Sequence, residues 1–247
     1  MVFQSAAATL DLWEAGQGLG STERLLALAA AAGPEWGGMD ELARLPLGRR
    51  DALLLRLHSA LAGPTLDATA SCPACGEAAE FGVDARALLA CADEPVAAPA
   101  PVEVDGFVVV WRSPDSTDVD AAAAAGSARE AELVLLERCV AEARHPDGEA
   151  VGALPAEVRA ALAEAMSDAD PLAEVLVDVA CPECGEEFVA DVDVGSFVWA
   201  ELQMHGRRVL REVDVLARAY GWTEAEVLAL GERRRAAYLA LAEDGAR

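Results

Sequence analysis

A chain of 247 residues that is 53% hydrophobic can bury a sizeable core, which excludes wholesale disorder. Its 43 acidic side chains against 19 basic ones leave a formal charge of -24, a field that repels phosphate backbones and makes nucleic acid a poor general partner. Every basic position is Arg, and Lys, Asn and Ile are absent, which reads as the coding bias of a GC-rich genome rather than a functional choice.

The opening Met1-Val2-Phe3-Gln4-Ser5 lacks a basic region followed by a long apolar core, and no later run is long enough to span a bilayer. Cytoplasmic synthesis without membrane insertion is the expectation. Leu10, Leu12 and Trp13 begin a helical face, and Thr22 to Ala32 carries another through Leu25, Leu26 and Leu28. Between them Gly16-Gln17-Gly18-Leu19-Gly20 follows a helix instead of a strand, so it reads as a flexible interhelical turn and not as a nucleotide loop. Met39 to Leu45 gives a short helix ended by Pro46. A stronger one then opens at Leu47-Gly48-Arg49-Arg50-Asp51 and carries Leu53, Leu54, Leu55, Leu57 and Leu61. Arg49 and Arg50 are expected on the surface in ordinary salt bridges, or gripping an acidic partner, with His58 at the surface or in a groove.

Two Cys-Pro-x-Cys-Gly turns follow, Cys72-Pro73-Ala74-Cys75-Gly76 and Cys181-Pro182-Glu183-Cys184-Gly185. A Cys-x-x-Cys turn supplies two thiolates to one ion, so the pair makes a complete tetrahedral set: Cys72, Cys75, Cys181 and Cys184. The flanks Thr69 to Ser71, Ala79 to Val83, Val175 to Val179 and Glu187 to Val192 read as short strands, giving two knuckle hairpins. One structural Zn2+ per chain is the expected cofactor; an iron centre of the same geometry and two unrelated thiol pairs are the alternatives. Four thiolates close the shell, so no open catalytic position is expected. Everything from Glu77 to Ala180 becomes an insertion with its ends clipped together.

Within that insertion Asp84 to Cys91 is expected as a helix and the Pro- and Ala-rich Asp93 to Pro101 as a linker. Val102 to Trp111 reads as a hairpin turning at Asp105-Gly106, its strands packing beside the metal turns and burying Phe107, Val109 and Trp111. Helices are expected at Thr117 to Ala125, Ala128 to Ala143, Pro155 to Met166 and again from about Pro171. Cys91 and Cys139 read as buried thiols. The strongest helix runs from Ser196 through Phe197, Trp199, Leu202, Val209, Val213, Leu216 and Tyr220 until Gly221 stops it. A Thr223/Glu226 capping box then opens Glu224 to Leu230, and Arg233 to Leu241 closes the chain.

The fold class is therefore α+β and predominantly helical, with split four-cysteine zinc-ribbon hairpins, a large inserted region and long C-terminal helices. The expected divisions are 1-65 (helical), 66-92 (first ribbon half), 93-174 (inserted hairpin and helices), 175-193 (second ribbon half) and 194-247 (helical).

Leu45-Pro46-Leu47-Gly48-Arg49-Arg50-Asp51-Ala52-Leu53-Leu54-Leu55, the two metal turns, Phe197-Val198-Trp199-Ala200-Glu201-Leu202 and Leu216 to Glu226 together resemble a family associated with the baseplates of contractile phage tails and related injection systems. The resemblance implies a baseplate or hub assembly protein, some of which act as assembly chaperones. It implies baseplate or hub proteins as partners, no small-molecule substrate, and association with the particle. On that resemblance Arg49, Arg50, Trp199, Tyr220 and Trp222 are candidate contact residues and none is catalytic. The competing classes are a nucleic-acid-binding zinc-ribbon regulator, which would need a localised Arg surface such as Arg207, Arg208 and Arg211 with Arg233 to Arg235, and an enzyme. Only His58, His145 and His205 supply imidazoles, and none sits in a catalytic motif.

Overall fold

The computed structural model describes residues 5–92, 99–145, 147 and 153–245. In chain order these form α1 (Ala6–Gly16), α2 (Ser21–Ala32), α3 (Met39–Ala43), α4 (Leu47–Leu61), β1 (Thr65–Ser71), β2 (Ala78–Asp84), α5 (Ala85–Ala92), β3 (Val102–Val104), β4 (Phe107–Trp111), α6 (Ser116–Ala123) and α7 (Ala128–Cys139). They continue with β5 (Val140–Arg144), α8 (Ala156–Ala169), β6 (Leu176–Ala180), β7 (Glu187–Asp191), α9 (Val194–Tyr220), α10 (Glu224–Leu228) and α11 (Glu232–Gly245). The chain is thus a mixed α+β protein dominated by helices. Most of the expected linker, residues 93–98, lies outside the described residues, as does part of the turn after His145.

The main core forms around α4. Leu53, Leu54, Leu55 and Leu57 are all buried, so this helix is apolar on more than one face and needs neighbours around it. Leu26, Leu28 and Ala29 of α2, Val198 and Leu202 of α9, and Leu66, Val83, Val175 and Val192 from the hairpins provide them. Burying each leucine fully contributes about 1.5–3 kcal/mol. The 27 residues of α9 span roughly 40 Å. Asp193 caps its start by accepting from the Ser196 amide, and Gly221 closes it in the left-handed conformation.

A second, smaller core lies within the insertion. The turn at Asp105-Gly106 has positive φ at both residues, 51° and 79°, and pairs Val104 with Phe107, as a two-residue hairpin requires. The hairpin does not pack beside the cysteine turns as expected. Val109 and Trp111 instead bury against Leu136 and Cys139 of α7 and Val158, Leu162 and Met166 of α8, with Phe107 partly buried at the edge. Two further expectations are corrected in this region. Helix α7 ends at Cys139, four residues before Ala143, because the β-branched Val140 turns extended and β5 pairs with the free edge of β4. No helix starts at Pro171: Asp170 is engaged elsewhere and Leu172 and Val175 drop into the main core. Of the two lone thiols Cys139 is buried, but Cys91 is exposed on the outer side of α5.

Candidate metal centre and the junction at helix α4

The strands β1 and β2 pair antiparallel from Thr65↔Asp84 to Ser71↔Ala78, and β6 and β7 from Leu176↔Asp191 to Ala180↔Glu187. The two hairpins face each other through Ala79, Val179 and Ala190, with Phe81 and Phe188 alongside. Each ends in a turn of the same construction. The Cys72 amide donates to Glu77 O and Gly76 N to Cys72 O; the Cys181 amide donates to Glu186 O and Gly185 N to Cys181 O. Gly76 and Gly185 sit at φ 77° and 75°, a conformation that side-chain-bearing residues adopt at a cost.

These two turns bring together the four cysteines singled out from the sequence. Cys72 Sγ lies 3.7 Å from Cys184 Sγ and Cys75 Sγ 3.6 Å from Cys181 Sγ, and all four sulfurs fall within 4.8 Å of one another. A tetrahedral ion with metal–sulfur bonds of about 2.3 Å separates its ligands by about 3.8 Å, so the spacing fits a shared ion and the set could hold one. The thiols are electrostatically unequal. The amides of Cys184 and Glu183 draw Cys181 down to about 7, while Cys75, lowered by the Glu77 amide, is pushed up to about 12 by its hydrogen bonds with Cys184 and Cys181. Crowded thiols ionise together only when a cation compensates their repulsion.

A second convergence surrounds the first turn of α4. The Gly48 amide donates to Asp170 Oδ2 at 2.9 Å, and the Leu47 amide to Pro114 O at 3.1 Å. Arg49 reaches the Ala92 carbonyl at the end of α5. Arg50 is buried, contrary to the expected surface position: its Nε pairs with Asp51 Oδ1 at 2.8 Å and its Nη1 donates to Ser116 Oγ at 3.2 Å. Burial pushes the carboxyls of Asp51 and Asp170 up, against the lowering effect of Arg50 on the former and of the Gly48 amide on the latter. The Leu47-Gly48-Arg49-Arg50-Asp51 motif therefore joins the main core to three separate parts of the insertion.

Beside it lies a network that sequence reading missed. Asp118 is fully buried, accepting from Arg112 Nη1 and Nη2 at 2.6 and 2.9 Å, Arg138 Nε at 2.8 Å and the Asp115 amide at 3.0 Å. Burial pushes this carboxyl up, but the bonds from Arg112, Asp115 and Arg138 prevail and hold it at about 2. The Asp115-x-x-Asp118 capping box was the available signal. Nothing local announced that Arg112 and Arg138 would meet there. His58, expected at the surface or in a groove, is also buried: Nε2 lies 3.1 Å from Thr65 O, Nδ1 lies 3.3 Å from Glu201 Oε2, and the ring meets Phe197 edge-on.

The remaining contact candidates lie on or after α9. Trp199 receives the Arg24 guanidinium 4.6 Å from its ring centre, while Arg24 also donates to Gly16 O and Leu19 O and so fixes the turn between α1 and α2. Tyr220, Trp222 and Tyr238 form one aromatic group that folds α11 back on α9, with Tyr220 still exposed. An open cleft of about 550 Å³ gathers Ser5, Thr9, His205, Arg208, Glu232 and Arg235. Three of its polar groups serve structure: Ser5 caps α1, the Thr9 hydroxyl donates to Ser5 O, and Arg235 pairs with Glu212 at 2.6 Å.

The sequence pattern described as T4 bacteriophage base plate protein matches residues 37–199, more than half of the chain. The chain belongs to that base plate family. The match begins before α3 and ends in the second turn of α9, so it contains the α4 junction and both cysteine turns. The base plate segment thereby includes Leu45 to Leu55 and Trp199 and leaves the aromatic group at Tyr220 outside. No match emerges among curated proteins or among solved structures. Membership supports a baseplate-related structural or assembly role through contacts with other baseplate proteins. Among the described residues no helix is long and apolar enough to cross a membrane.

Proposed function

We propose that the chain is an assembly factor or baseplate-associated structural protein of a contractile, phage-tail-like injection system, synthesised in the cytoplasm and associated with the particle. It acts through protein contacts and not through catalysis. The observation that carries this reading is the base plate family match across residues 37–199, the segment in which the α4 junction and the cysteine turns are built. Deleting the gene and imaging the particles tests it: incomplete or missing sheathed particles are expected, and complete particles in normal numbers would refute it. Recovery of the chain in purified particles separates a resident component from a transient chaperone.

The scaffold is stabilised by one structural Zn2+ on Cys72, Cys75, Cys181 and Cys184. The sulfur spacing and the all-thiolate donor set support this assignment. The ion supplies folding energy and no reactivity, since four thiolates leave no place for substrate. Joining positions that lie 106 residues apart removes about 4–5 kcal/mol of freedom from the unfolded chain. Of the contact candidates, Arg50 supports partner binding indirectly by fixing α4, and Arg49 and Trp199 do so through Ala92 and Arg24; Tyr220 offers an exposed aromatic surface, backed by the half-buried Trp222 stacked on it.

A further inference from the structure

The outward side of α9 departs from the rest of this acidic molecule. Met204, Arg207, Arg208, Arg211, Val215 and Arg218 recur at three- and four-residue spacing and are all exposed. They lie opposite the stripe of Val198, Leu202, Val209 and Leu216 that fills the core. Met204 is 60% exposed, and Leu210 and Val215, 39% and 38% exposed, extend the apolar component. Arg208 leans toward Glu212 and Arg218 pairs with Asp214. Arg207 and Arg211 make no ion pair among the described residues; the Arg211 Nε donates to Arg207 O. In a chain with 43 carboxylates and 19 arginines, a helix face with four arginines against the two carboxylates of Glu212 and Asp214 is a local inversion of charge.

We infer that this face of α9 is a docking surface for an acidic amphipathic helix of another baseplate protein. The inference rests on the baseplate reading and adds the chemistry of the partner. Charge complementarity selects the occupant: carboxylates pair with Arg207 and Arg211 while apolar side chains cover Met204, Leu210 and Val215. A second copy packed face to face would set these arginines against their own counterparts. A nucleic acid would meet the field of a chain carrying -24.

The test uses the full chain in two arms. In the first, a labelled synthetic helical peptide of leucine and glutamate, its leucine–lysine counterpart and a single-stranded DNA oligonucleotide are titrated against the protein. Salt-sensitive binding of the acidic peptide alone is expected, weakened at least about tenfold by R207E/R211E and also weakened by M204S. Unaltered binding by the charge-reversed protein overturns the inference. So does preference for DNA or for the basic peptide, or self-association abolished by R207E/R211E. Both arginines are exposed, so an unchanged circular dichroism spectrum and melting curve show that the variant folds. In the second arm, R207E/R211E replaces the natural gene and is expected to reproduce the deletion defect at normal protein abundance. Full complementation by the variant where deletion is defective overturns the docking surface and leaves the baseplate role standing. Normal particles on deletion overturn the baseplate role, and the peptide arm still decides the surface.

Discussion

The Gly48 amide donates to the Asp170 carboxylate at 2.9 Å, although 122 residues separate them. An Asp that follows one helix thus satisfies an open donor in the first turn of another, a role that caps usually fill from the adjacent residue. A Cβ at position 48 would collide with the Asp170 carboxylate and lie 2.9 Å from the Leu172 Cβ. Gly48→Ala is therefore expected to destabilise the fold by about 1–3 kcal/mol despite the better helix propensity of alanine. Chemical denaturation measures this, and a neutral or stabilised variant would show that the contact is dispensable.

Asp118 carries the largest concentration of charged hydrogen bonds in the described structure, and Asp118→Asn should cost about 2–3 kcal/mol near neutral pH. Its carboxyl is held at about 2, below the ordinary 3.8. A depressed acid stabilises the fold above its unfolded value and loses that contribution as pH falls toward the folded one. The stability difference between the natural protein and Asp118→Asn should accordingly shrink as pH drops from 3.8 to about 2. Asp51 and Asp170 have the opposite sign, because burial raises them: their folded forms hold protons more tightly, so stability falls as pH rises through their range. Urea titrations of both proteins across this window measure the difference, and a constant gap contradicts the assignment.

Leu54 and Leu55 are fully buried on a helix walled in by α2, α9 and the hairpins. Leu54→Ala should cost about 2–5 kcal/mol through lost burial and the cavity left behind. Leu241, 61% exposed on α11, provides the contrast: its replacement by Ala should change stability by less than about 0.5 kcal/mol. Thermal melts of the two variants side by side check both values.

Much of this architecture was legible in the sequence because the signals were local. The leucine repeat placed α4, Thr223 with Glu226 placed α10, and Asp105-Gly106 fixed the β3–β4 turn. The paired Cys-Pro-x-Cys-Gly turns announced a four-sulfur cluster, and the four sulfurs do gather. What stayed hidden depended on partners far along the chain. Arg50 reads as a surface cation until Ser116 and Asp51 enclose it, and His58 until Thr65 and Glu201 do. Val140 to Arg144 continues a helical pattern yet pairs with β4, since the open edge of a strand outweighs a weak propensity.

If the two cysteine turns form one centre, the two pairs contribute as a unit. Cys72→Ser and Cys184→Ser should each destabilise the fold strongly, and the double variant should cost little more than either single one, because the first substitution already breaks the shell. Additive losses would mean that the pairs act separately. Calorimetric melts of the three variants provide the comparison.

The most direct test of the scaffold is zinc content combined with X-ray absorption at the metal edge on the full chain purified without added chelator. One zinc per chain surrounded by four sulfurs at about 2.3 Å is the predicted result. A chain that folds without metal, or an ion with two sulfurs and the rest of its shell oxygen or nitrogen, would contradict the shared centre of Cys72, Cys75, Cys181 and Cys184.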